Sequence, residues 1–414
     1  MTDSNKLGKN LTDIQEINRS LVLNCIRSEP NCSRSEIANI TGLQQATITK
    51  IVNDFIKAGI VQEANLFKKS EKGRRSIGLI LNTDLHRIIG VRLTRSQVLV
   101  GLYDIAGKEY RLVYENINIA LGADRAIELM ISSIRKMMNF AKGDYVLGIG
   151  VGLPGLFLKD EGIIAVMADF PGWEGRSIRA ALEKEFGEII YTEHDAYASG
   201  LAEWWFGRKR EYSKILLSIS MEEGIGAGLV VQGKVYYGSQ GIAGEIGHVS
   251  IEYNGLSCAC GNRGCLRNYC TEAAVLQRVR KELKSRKESK LNQYPASLRL
   301  DHIIECALEK DKYACDLIRE AGTYLGYGLI NAIYAFNPDT IVLSRLFAKA
   351  DVLYLNAVKK ILKERLSPIF YERIRVEFSN LTHDPVLLGV VSLVTDHLFT
   401  TPSYIMGLGT NHIK

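Results

Sequence analysis

The sequence lacks an apolar run long enough to cross a membrane. No stretch of the 414 residues reaches the roughly 18 uninterrupted apolar residues that a membrane-spanning helix needs. The segment MTDSNKLGKN at the start is polar and lacks the apolar region of a secretory signal peptide. We therefore expect a cytoplasmic protein with no membrane partner.

Cysteine is sparse, with eight residues in the chain. In a long chain that we expect to be cytoplasmic, so few cysteines argue against a disulfide-stabilised scaffold and favour metal ligands or buried thiols. Apolar residues make up 46% of the sequence, which is enough for two or three domains with sizeable cores.

Most of the chain also lacks an excess of charge of either sign. The net charge is +6, and residues 1–80 carry +4 of it, with 12 lysines and arginines against 8 aspartates and glutamates. This asymmetry makes nucleic acid a candidate partner of the N-terminal segment.

The N-terminal segment has the pattern of a helix-turn-helix. Residues 18–27 space their apolar residues as one helix, and Ser33 with Glu36 forms a capping-box pattern that predicts the start of a second. Gly42 offers a turn, and Gly59 is suited to end a third helix. That third helix has a single apolar stripe, formed by Ile48, Ile51, Val52, Phe55 and Ile56.

A β-hairpin wing is predicted after these helices. Apolar segments at 60–64 and 76–82 flank the basic sequence KKSEKGRR. The order of the parts predicts a winged helix-turn-helix domain over residues 1–80 rather than a plain helical subdomain with a solvated loop. Its candidate contacts with a double-stranded DNA operator are Ser33, Gln44, Gln45, Thr47, Thr49, Lys50, Arg74 and Arg75. Glutamine and lysine on the third helix suit base edges in the major groove, and arginines at the wing tip suit phosphates or a narrow minor groove.

A cluster of metal-ligating residues lies in the sequence GHVSIEYNGLSCACGNRGCL. It supplies His248, Cys258, Cys260 and Cys265 within 18 residues. Three thiolates and one imidazole match a closed, tetrahedral zinc site with no position left for water. We expect structural Zn²⁺ here, with buried free thiols as the alternative.

Several segments, read in order, resemble the ROK family of repressors, open-reading-frame proteins and sugar kinases. The resemblance covers nearly the whole chain. It is carried by VGLPG (151–155), EHDAYASGLAE (193–203), GIAGEIGH (241–248), CACGNRGCL (258–266) and GLINAIYAFNPDTIVLS (328–344). A winged helix joined to such a body resembles the repressor branch of the family, including the xylose-repressor type.

The resemblance implies an α/β fold, in which the winged helix-turn-helix precedes a two-lobed, actin-like body of the ribonuclease-H type. That body, at 81–414, would bind sugar in a cleft between the lobes and form the oligomer. We expect the first lobe at about 85–195 plus 385–414, and the second lobe, with the zinc site, at about 196–384.

The nucleotide side of the kinase pattern is missing. Kinases of the family open the body with an aspartate and a Gly-Gly-Thr phosphate turn, whereas this chain has GVRLTRS with Arg92 at the acidic position. In the second phosphate loop, SISMEEGIGAG, Glu222 and Glu223 would repel phosphate. We expect no ATP binding and no enzyme activity.

The sugar side of the pattern is retained. Asp195 stands at the position of the kinases' general base, and without nucleotide it would accept a hydrogen bond from the sugar. Glu245 and His248 match the family's sugar-contacting Glu-x-x-His, and Gly152 and Gly155 would line the opposite wall.

Three departures from the family pattern bear on the ligand: Asp169, His194 and Arg267 replace an asparagine, an asparagine and a glutamate. Together they suggest a different polyol, or a ligand with an ionised group that Arg267 meets. In the alternative, Arg267 faces solvent and Glu272 replaces the lost carboxylate.

We interpret the sequence as a sugar-responsive transcriptional regulator, a repressor of carbohydrate-utilisation genes that acts as a homodimer or homotetramer. One alternative is an active sugar kinase with a fused DNA-binding domain. Another is a repressor that a protein partner controls instead of a sugar or sugar derivative.

Overall fold

The computed structural model of the chain describes residues 10–69, 75–118, 122–158, 163–166, 173, 175–187, 190–221, 224–294 and 297–408. The chain forms two compact units. The first comprises residues 1–151, 178–192 and 390–414, and the second comprises residues 152–177 and 193–389.

The N-terminal part of the first unit is a three-helix domain with a two-stranded wing. Its elements are α1 (Leu11–Ser28), α2 (Arg34–Thr41), α3 (Gln45–Lys57), β1 (Val61–Lys69) and β2 (Arg75–Leu81). β1 and β2 pair antiparallel, with Val61 opposite Leu81. The predicted winged helix-turn-helix is therefore present, although α1 starts seven residues before the predicted first helix.

Local signals in the sequence fix the ends of these helices. Ser33 Oγ accepts a hydrogen bond from Glu36 N, and Glu36 Oε2 accepts one from Ser33 N, which completes the predicted capping box of α2. Gly42 ends α2 with a φ of +71°, a backbone region that favours glycine. In α3, the predicted stripe is buried at Ile48, Ile51, Val52 and Phe55.

A five-stranded sheet forms the rest of the first unit, in the order β5–β4–β3–β6–β9. Its strands are β3 (His86–Leu93), β4 (Gln97–Tyr103), β5 (Glu109–Asn116), β6 (Tyr145–Leu153) and β9 (Ile190–His194). β3 is buried along its whole length, as expected for a central strand. Three helices complete this part: α4 (Ala123–Phe140), α5 (Ile178–Phe186) and α14 (Ser403–Leu408).

The second unit is built on another five-stranded sheet, in the order β12–β11–β10–β13–β14. Its strands are β10 (Ile215–Ser220), β11 (Gly226–Val231), β12 (Lys234–Val235), β13 (Thr340–Leu343) and β14 (Arg375–Phe378). β10 pairs antiparallel with β11 and parallel with β13. The helix α6 (Asp195–Trp205) packs on β10 and β11.

The remaining helices surround the core of the second unit. They are α7 (Arg267–Cys270), α8 (Glu272–Glu282), α9 (Leu300–Leu308), α10 (Lys312–Phe336), α11 (Asp351–Arg365) and α12 (Pro368–Tyr371). The last long helix, α13 (Pro385–Thr400), begins in the second unit and ends in the first. Its C-terminal half therefore returns to the first unit, as the sequence predicts.

The two units group two segments differently from the predicted domains, whose boundaries stay predictions. Residues 152–177, expected in the first lobe, belong to the second unit. Their strands β7 (Leu156–Leu158) and β8 (Ile163–Val166) form a two-stranded sheet, and Ile163 makes an isolated bridge to Ser177. The winged helix, predicted as a separate domain, clusters with the first-unit sheet.

No helix within the described ranges is long and apolar enough to span a membrane.

Candidate functional site

The four predicted metal ligands converge in the second unit. The ligand atoms of His248, Cys258, Cys260 and Cys265 all lie within 4.8 Å of one another. Cys260 Sγ is 3.8 Å from Cys265 Sγ, and His248 Nδ1 is 3.8 Å from Cys258 Sγ. Zn–S bonds of about 2.3 Å in a tetrahedron separate two sulfurs by about 3.8 Å. The donor set and its spacing therefore fit Zn²⁺.

The loop that carries the cysteines is held by its own backbone contacts. Cys258 N donates to Asn262 O at 2.9 Å, and Asn262 Nδ2 donates to His248 O at 3.1 Å. Gly264 has a φ of +68°, and a Cβ there would lie 1.8 Å from Glu252 O. Only glycine fits at this position, which brings Cys265 towards His248.

Without a metal ion, the thiols of Cys260 and Cys265 differ in acidity. A hydrogen bond from the Asn262 backbone lowers the pKa of Cys260, whereas burial raises the pKa of Cys265 to about 12. A bound zinc ion deprotonates coordinating thiols, because its charge outweighs such differences. A bound cation would therefore allow all three cysteines to be thiolates at once.

Asp195 and His194 lie at the junction of β9 and α6. Asp195 is the first residue of α6, and its Oδ1 is 3.4 Å from His194 Nε2. The other ring nitrogen, His194 Nδ1, is buried and has no hydrogen-bond partner among the described residues. The two side chains thus offer an acceptor and an unpaired nitrogen at one helix start.

Glu245 and His248 are positioned by the close approach of their loop to β11. A Cβ on Gly244 would lie 2.1 Å from Ala227 O, and one on Gly247 would lie 2.2 Å from Ile225 O. Ala227 N also donates to Gly244 O at 2.8 Å. Since only glycine fits at both positions, the loop cannot shift away from β11 without breaking this contact.

Electrostatic interactions place four of the predicted effector residues together. Burial raises the pKa of Glu245, interactions with His194 and Arg267 lower it, and the interaction with Asp195 raises it. Burial also lowers the pKa of His248, and Arg267 lowers it further. Asp195, His194 and Arg267 therefore act on Glu245, and Arg267 also acts on the candidate metal ligand His248, all within the second unit.

For three other predicted effector residues, no contact with this cluster is established. Gly152 lies near the end of β6, and Gly155 follows it with a φ of +88°. Their position in the opposite wall of the site stays a prediction. Asp169 lies outside the described residues.

The sequence analysis missed three residues that hold this site. Glu193 is fully buried; its Oε1 accepts from His194 N at 3.0 Å, and its Oε2 accepts from Tyr237 OH at 2.6 Å. Tyr197 OH lies 2.7 Å from Ala243 O, so it can donate to the loop that carries Glu245. Glu193 could have been recognised from the sequence, because it is an acidic residue within an apolar strand and directly precedes His194 and Asp195.

Three of the predicted DNA-facing residues are exposed on or next to α3. Gln44, Gln45 and Lys50 are exposed, and Thr47 and Thr49 are half-buried. Ser33 is 5% exposed and its hydroxyl caps α2, so its role as a DNA contact stays a prediction. Arg74 and the side chain of Arg75 lie outside the described residues.

The segment that the family resemblance matches to the kinase phosphate turn forms the end of β3 and a tight turn. Arg92 is 6% exposed within β3. The turn from β3 to β4 is closed tightly, because Thr94 N donates to Gln97 O at 2.8 Å and Gln97 N donates to Thr94 Oγ1 at 2.9 Å. Glu222 and Glu223, in the second loop, lie outside the described residues.

Comparisons with known sequences agree with this architecture. The ROK family profile matches residues 89–397, and a winged helix-turn-helix DNA-binding profile matches residues 16–62. The xylose repressor of Caldicellulosiruptor bescii is 29% identical over 95% of this chain and 99% of that protein. The DNA-binding transcriptional dual regulator NagC of Escherichia coli is 30% identical over 93% of this chain and 94% of NagC.

Two solved structures share the fold. A ROK family transcriptional regulator, a homologue of E. coli Mlc, matches with a TM-score of 0.83 at 25% identity, over 95% of this chain and 99% of that one. A ROK family glucokinase from Streptomyces griseus, in complex with glucose and AMPPNP, matches with a TM-score of 0.66 at 21% identity, over 74% and 98%. The predicted winged helix followed by an actin-like α/β body is confirmed.

We predict that the purified chain holds one zinc ion and that the Cys258→Ser variant loses it. The three remaining donors cannot complete a closed tetrahedral site. Zinc content is measured by inductively coupled plasma mass spectrometry, and the melting temperature by circular dichroism before and after chelation. Chelation should lower the melting temperature of the wild type and leave that of Cys258→Ser unchanged.

The matched control is Cys315→Ser, which changes a half-buried thiol outside the cluster. It should keep its zinc. Equal zinc content in wild type and Cys258→Ser would contradict the assignment.

Proposed function

Because the chain belongs to the ROK family, we propose that it is a sugar-responsive transcriptional repressor of carbohydrate-utilisation genes and not an enzyme. This chain covers nearly the whole length of relatives that are named as repressors. The proposal places the protein in the cytoplasm, where its DNA partner lies.

One observation carries this proposal: a winged helix-turn-helix is joined to a body that keeps the sugar-facing side chains and has lost the phosphate-facing ones. Asp195 and Glu245 interact electrostatically, and His248 belongs to the cluster of candidate metal ligands, which supports their proposed roles. The buried Arg92 and the tight turn closed by Thr94 stand where a kinase needs an aspartate and open glycine backbone. Such a site binds sugar without transferring phosphate.

The zinc ion in this proposal is structural. Zn²⁺ bound by one imidazole and three thiolates is a closed site that supplies folding energy and no open coordination position. His248 would bind it through Nδ1, the nitrogen nearest Cys258, and this leaves Nε2 for the effector. The metal would thereby fix the ring that faces the ligand.

The effector residues act as hydrogen-bonding groups. Asp195 accepts a hydrogen bond from a hydroxyl of the sugar, as a general base would. Without a bound nucleotide there is no phosphate for that hydroxyl to attack. Glu245 provides a second acceptor, and His194 Nδ1, unpaired in the described structure, provides a third contact. Gly152 and Gly155 would line the opposite side of the site, and Asp169 is a further candidate contact of the sugar.

The DNA contacts follow from the exposed start of α3. Gln44, Gln45 and Lys50 would address base edges in the major groove, with Thr47 and Thr49 beside them. Ser33 at the start of α2, and Arg74 and Arg75 at the wing, would contact the backbone or the minor groove. A homodimer or homotetramer would present two such domains to a palindromic operator.

A set of contacts within the first unit supplies a route from the body to the DNA-binding helices. Phe399 O, at the end of α13, accepts from Ser20 Oγ at 2.7 Å and from Asn24 Nδ2 at 3.2 Å, both on α1. The Arg27 guanidinium lies 4.3 Å from the centroid of the Phe399 ring. α1 is thus fixed to the C-terminal end of α13.

The other end of α13 touches the helix of the effector site. A Cβ on Gly389 would lie 1.8 Å from Ala198 O, so α13 contacts α6 through backbone, three residues after Asp195. We propose that α13 transmits a change at Asp195 to α1. Effector binding would then shift the population towards a conformation with lower operator affinity.

We predict that one sugar or sugar derivative lowers operator affinity about 5- to 150-fold, the usual range of allosteric coupling. Fluorescence anisotropy on DNA from upstream of the chain's own gene measures the release. The same compound with ATP should yield no phosphorylated product in a coupled assay. Asp195→Asn should bind the operator normally and need at least about 10-fold more compound for release, since it loses an ionised acceptor.

Two controls accompany that experiment. Glu288→Gln removes an exposed carboxylate of the second unit and should respond as the wild type does. Gln45→Ala should weaken operator binding in the presence and absence of the compound. Operator binding that no sugar or sugar derivative changes, or phosphoryl transfer to the compound, would contradict the proposal.

We also predict that the double variant Ser20→Ala and Asn24→Ala uncouples the two functions. Its effector affinity should stay within about twofold of the wild type, while the effect of the compound on operator affinity falls towards none. Calorimetry measures the first quantity, and anisotropy measures the second.

Thr400→Ala is the matched control, because its hydroxyl bonds only to carbonyls of α13 itself, at Asp396 and His397. It should keep full coupling. Full coupling in the double variant would rule out the α1–α13 route.

A further inference from the structure

Arg267 is held at a defined position by the packing of its helix. It is the first residue of α7, directly after the buried Leu266. Leu266 packs so closely on α10 that a Cβ on Gly328 would lie 2.3 Å from its Cδ2. Thr271 Oγ1 donates to Arg267 O at 2.8 Å and closes the same turn. The start of the Arg267 side chain is therefore fixed.

The guanidinium of Arg267 has no protein partner in the part of the chain that the structure describes. The residue is half-buried, and no hydrogen bond or ion pair joins its side chain to a described residue. A guanidinium carries five N–H donors in a planar fork. Partial burial of an unpaired charge is unfavourable, so a ligand that pairs with it would be strongly preferred.

The surroundings of Arg267 place it in the effector site. Its Cζ lies 4.0 Å from the position of a Cβ on Gly224, so no side chain separates it from the backbone of the β10–β11 loop there. Its charge also acts on Glu245 and His248. The guanidinium therefore lies close to Gly224 and near enough to Glu245 and His248 to act on both.

Charge decides what such a site can accept. Asp195 and Glu245 suit the hydroxyls of a sugar and would repel an anion placed beside them. Arg267 is the cation that the described site offers to an anion. A ligand with hydroxyls at one end and an anionic group at the other satisfies both sets of side chains.

We propose that Arg267 binds an anionic group of the effector, so that the effector is a sugar or polyol carrying a phosphate or a carboxylate. This inference rests on the proposed function, because it concerns the ligand of the same site. A solvent-facing role fits Arg267 less well, since Arg263 of the preceding loop and Arg280 of α8 are exposed and Arg267 is not.

The test is calorimetry on the full zinc-loaded chain with matched compounds. The panel pairs glucose with gluconate, glucuronate and glucose 6-phosphate, and xylose with xylonate and xylose 5-phosphate, and it includes inorganic phosphate alone. One anionic compound should bind, with its neutral parent at least about 10-fold weaker. A carboxylate and a phosphate as the preferred group are both consistent with the proposal, and the panel distinguishes them.

The variants identify the residue responsible. Arg267→Met should weaken the binding of the anionic compound by about 10- to 100-fold. Arg267→Lys should weaken this binding less, because it keeps the charge but lacks the planar fork of the guanidinium. Arg280→Met, which removes an exposed arginine of the same unit, should bind as the wild type does. Zinc content and melting temperature of each variant show whether it is folded.

The outcomes separate this inference from the proposed function. Binding of a neutral sugar as tightly as its anionic partners, or an unchanged preference in a folded Arg267→Met, would overturn the inference and leave a sugar-responsive repressor. Inorganic phosphate bound with no sugar compound bound would also overturn it. A panel in which nothing binds or releases the operator would contradict the proposed function as well.

Discussion

The contact between the loop at 244–248 and β11 is the constraint on which the rest of the site depends. Carbonyl oxygens of Ala227 and Ile225 occupy the space in which side chains of residues 244 and 247 would lie. The loop is thus pressed on the edge of the second-unit sheet, with Glu245 and His248 at fixed positions. His248 then starts the metal cluster, and Tyr197 holds the preceding residues to α6. One backbone contact therefore connects the sheet, the effector side chains and the metal ligands.

This arrangement explains how a kinase-like body can act as a receptor. A kinase must bind both its sugar and its nucleotide. The sugar-binding half and the nucleotide-binding half of the site are formed by separate parts of the chain. In the proposed function, the half around Asp195 keeps its hydrogen-bonding groups, whereas the buried Arg92 and the turn at Thr94 stand in place of the phosphate turn. Binding energy that would be used in the transition state of phosphoryl transfer is then available to favour one conformation.

The sequence predicted what depends on residues close together in the chain. Capping at Ser33, the turn at Gly42 and the stripe of α3 are local signals, and they were found where predicted. The zinc cluster was recognisable because its ligands lie within 18 residues. Asp195 and Glu245 lie in distant segments, and only the family resemblance predicted that they belong to one site.

Long-range contacts could not be predicted in this way. The hydrogen bond between Ser20 and Phe399 joins residues 379 positions apart, and no periodicity signals it. Glu193 was quoted within a motif, yet its pairing with Tyr237 depends on the packing of β9 against a loop 44 residues on. The placement of residues 152–177 with the second unit likewise depends on tertiary packing. The half-burial of Arg267 also depends on long-range contacts.

The measurement that tests the central claim most directly is the affinity of the effector for the free protein and for the operator-bound protein. If the effector site and the DNA-binding domain are coupled, thermodynamic linkage requires the two affinities to differ by the same factor by which the effector lowers operator affinity. The account predicts that equality. An effector that binds free and operator-bound protein equally well would show that the two sites are not coupled, and would contradict it.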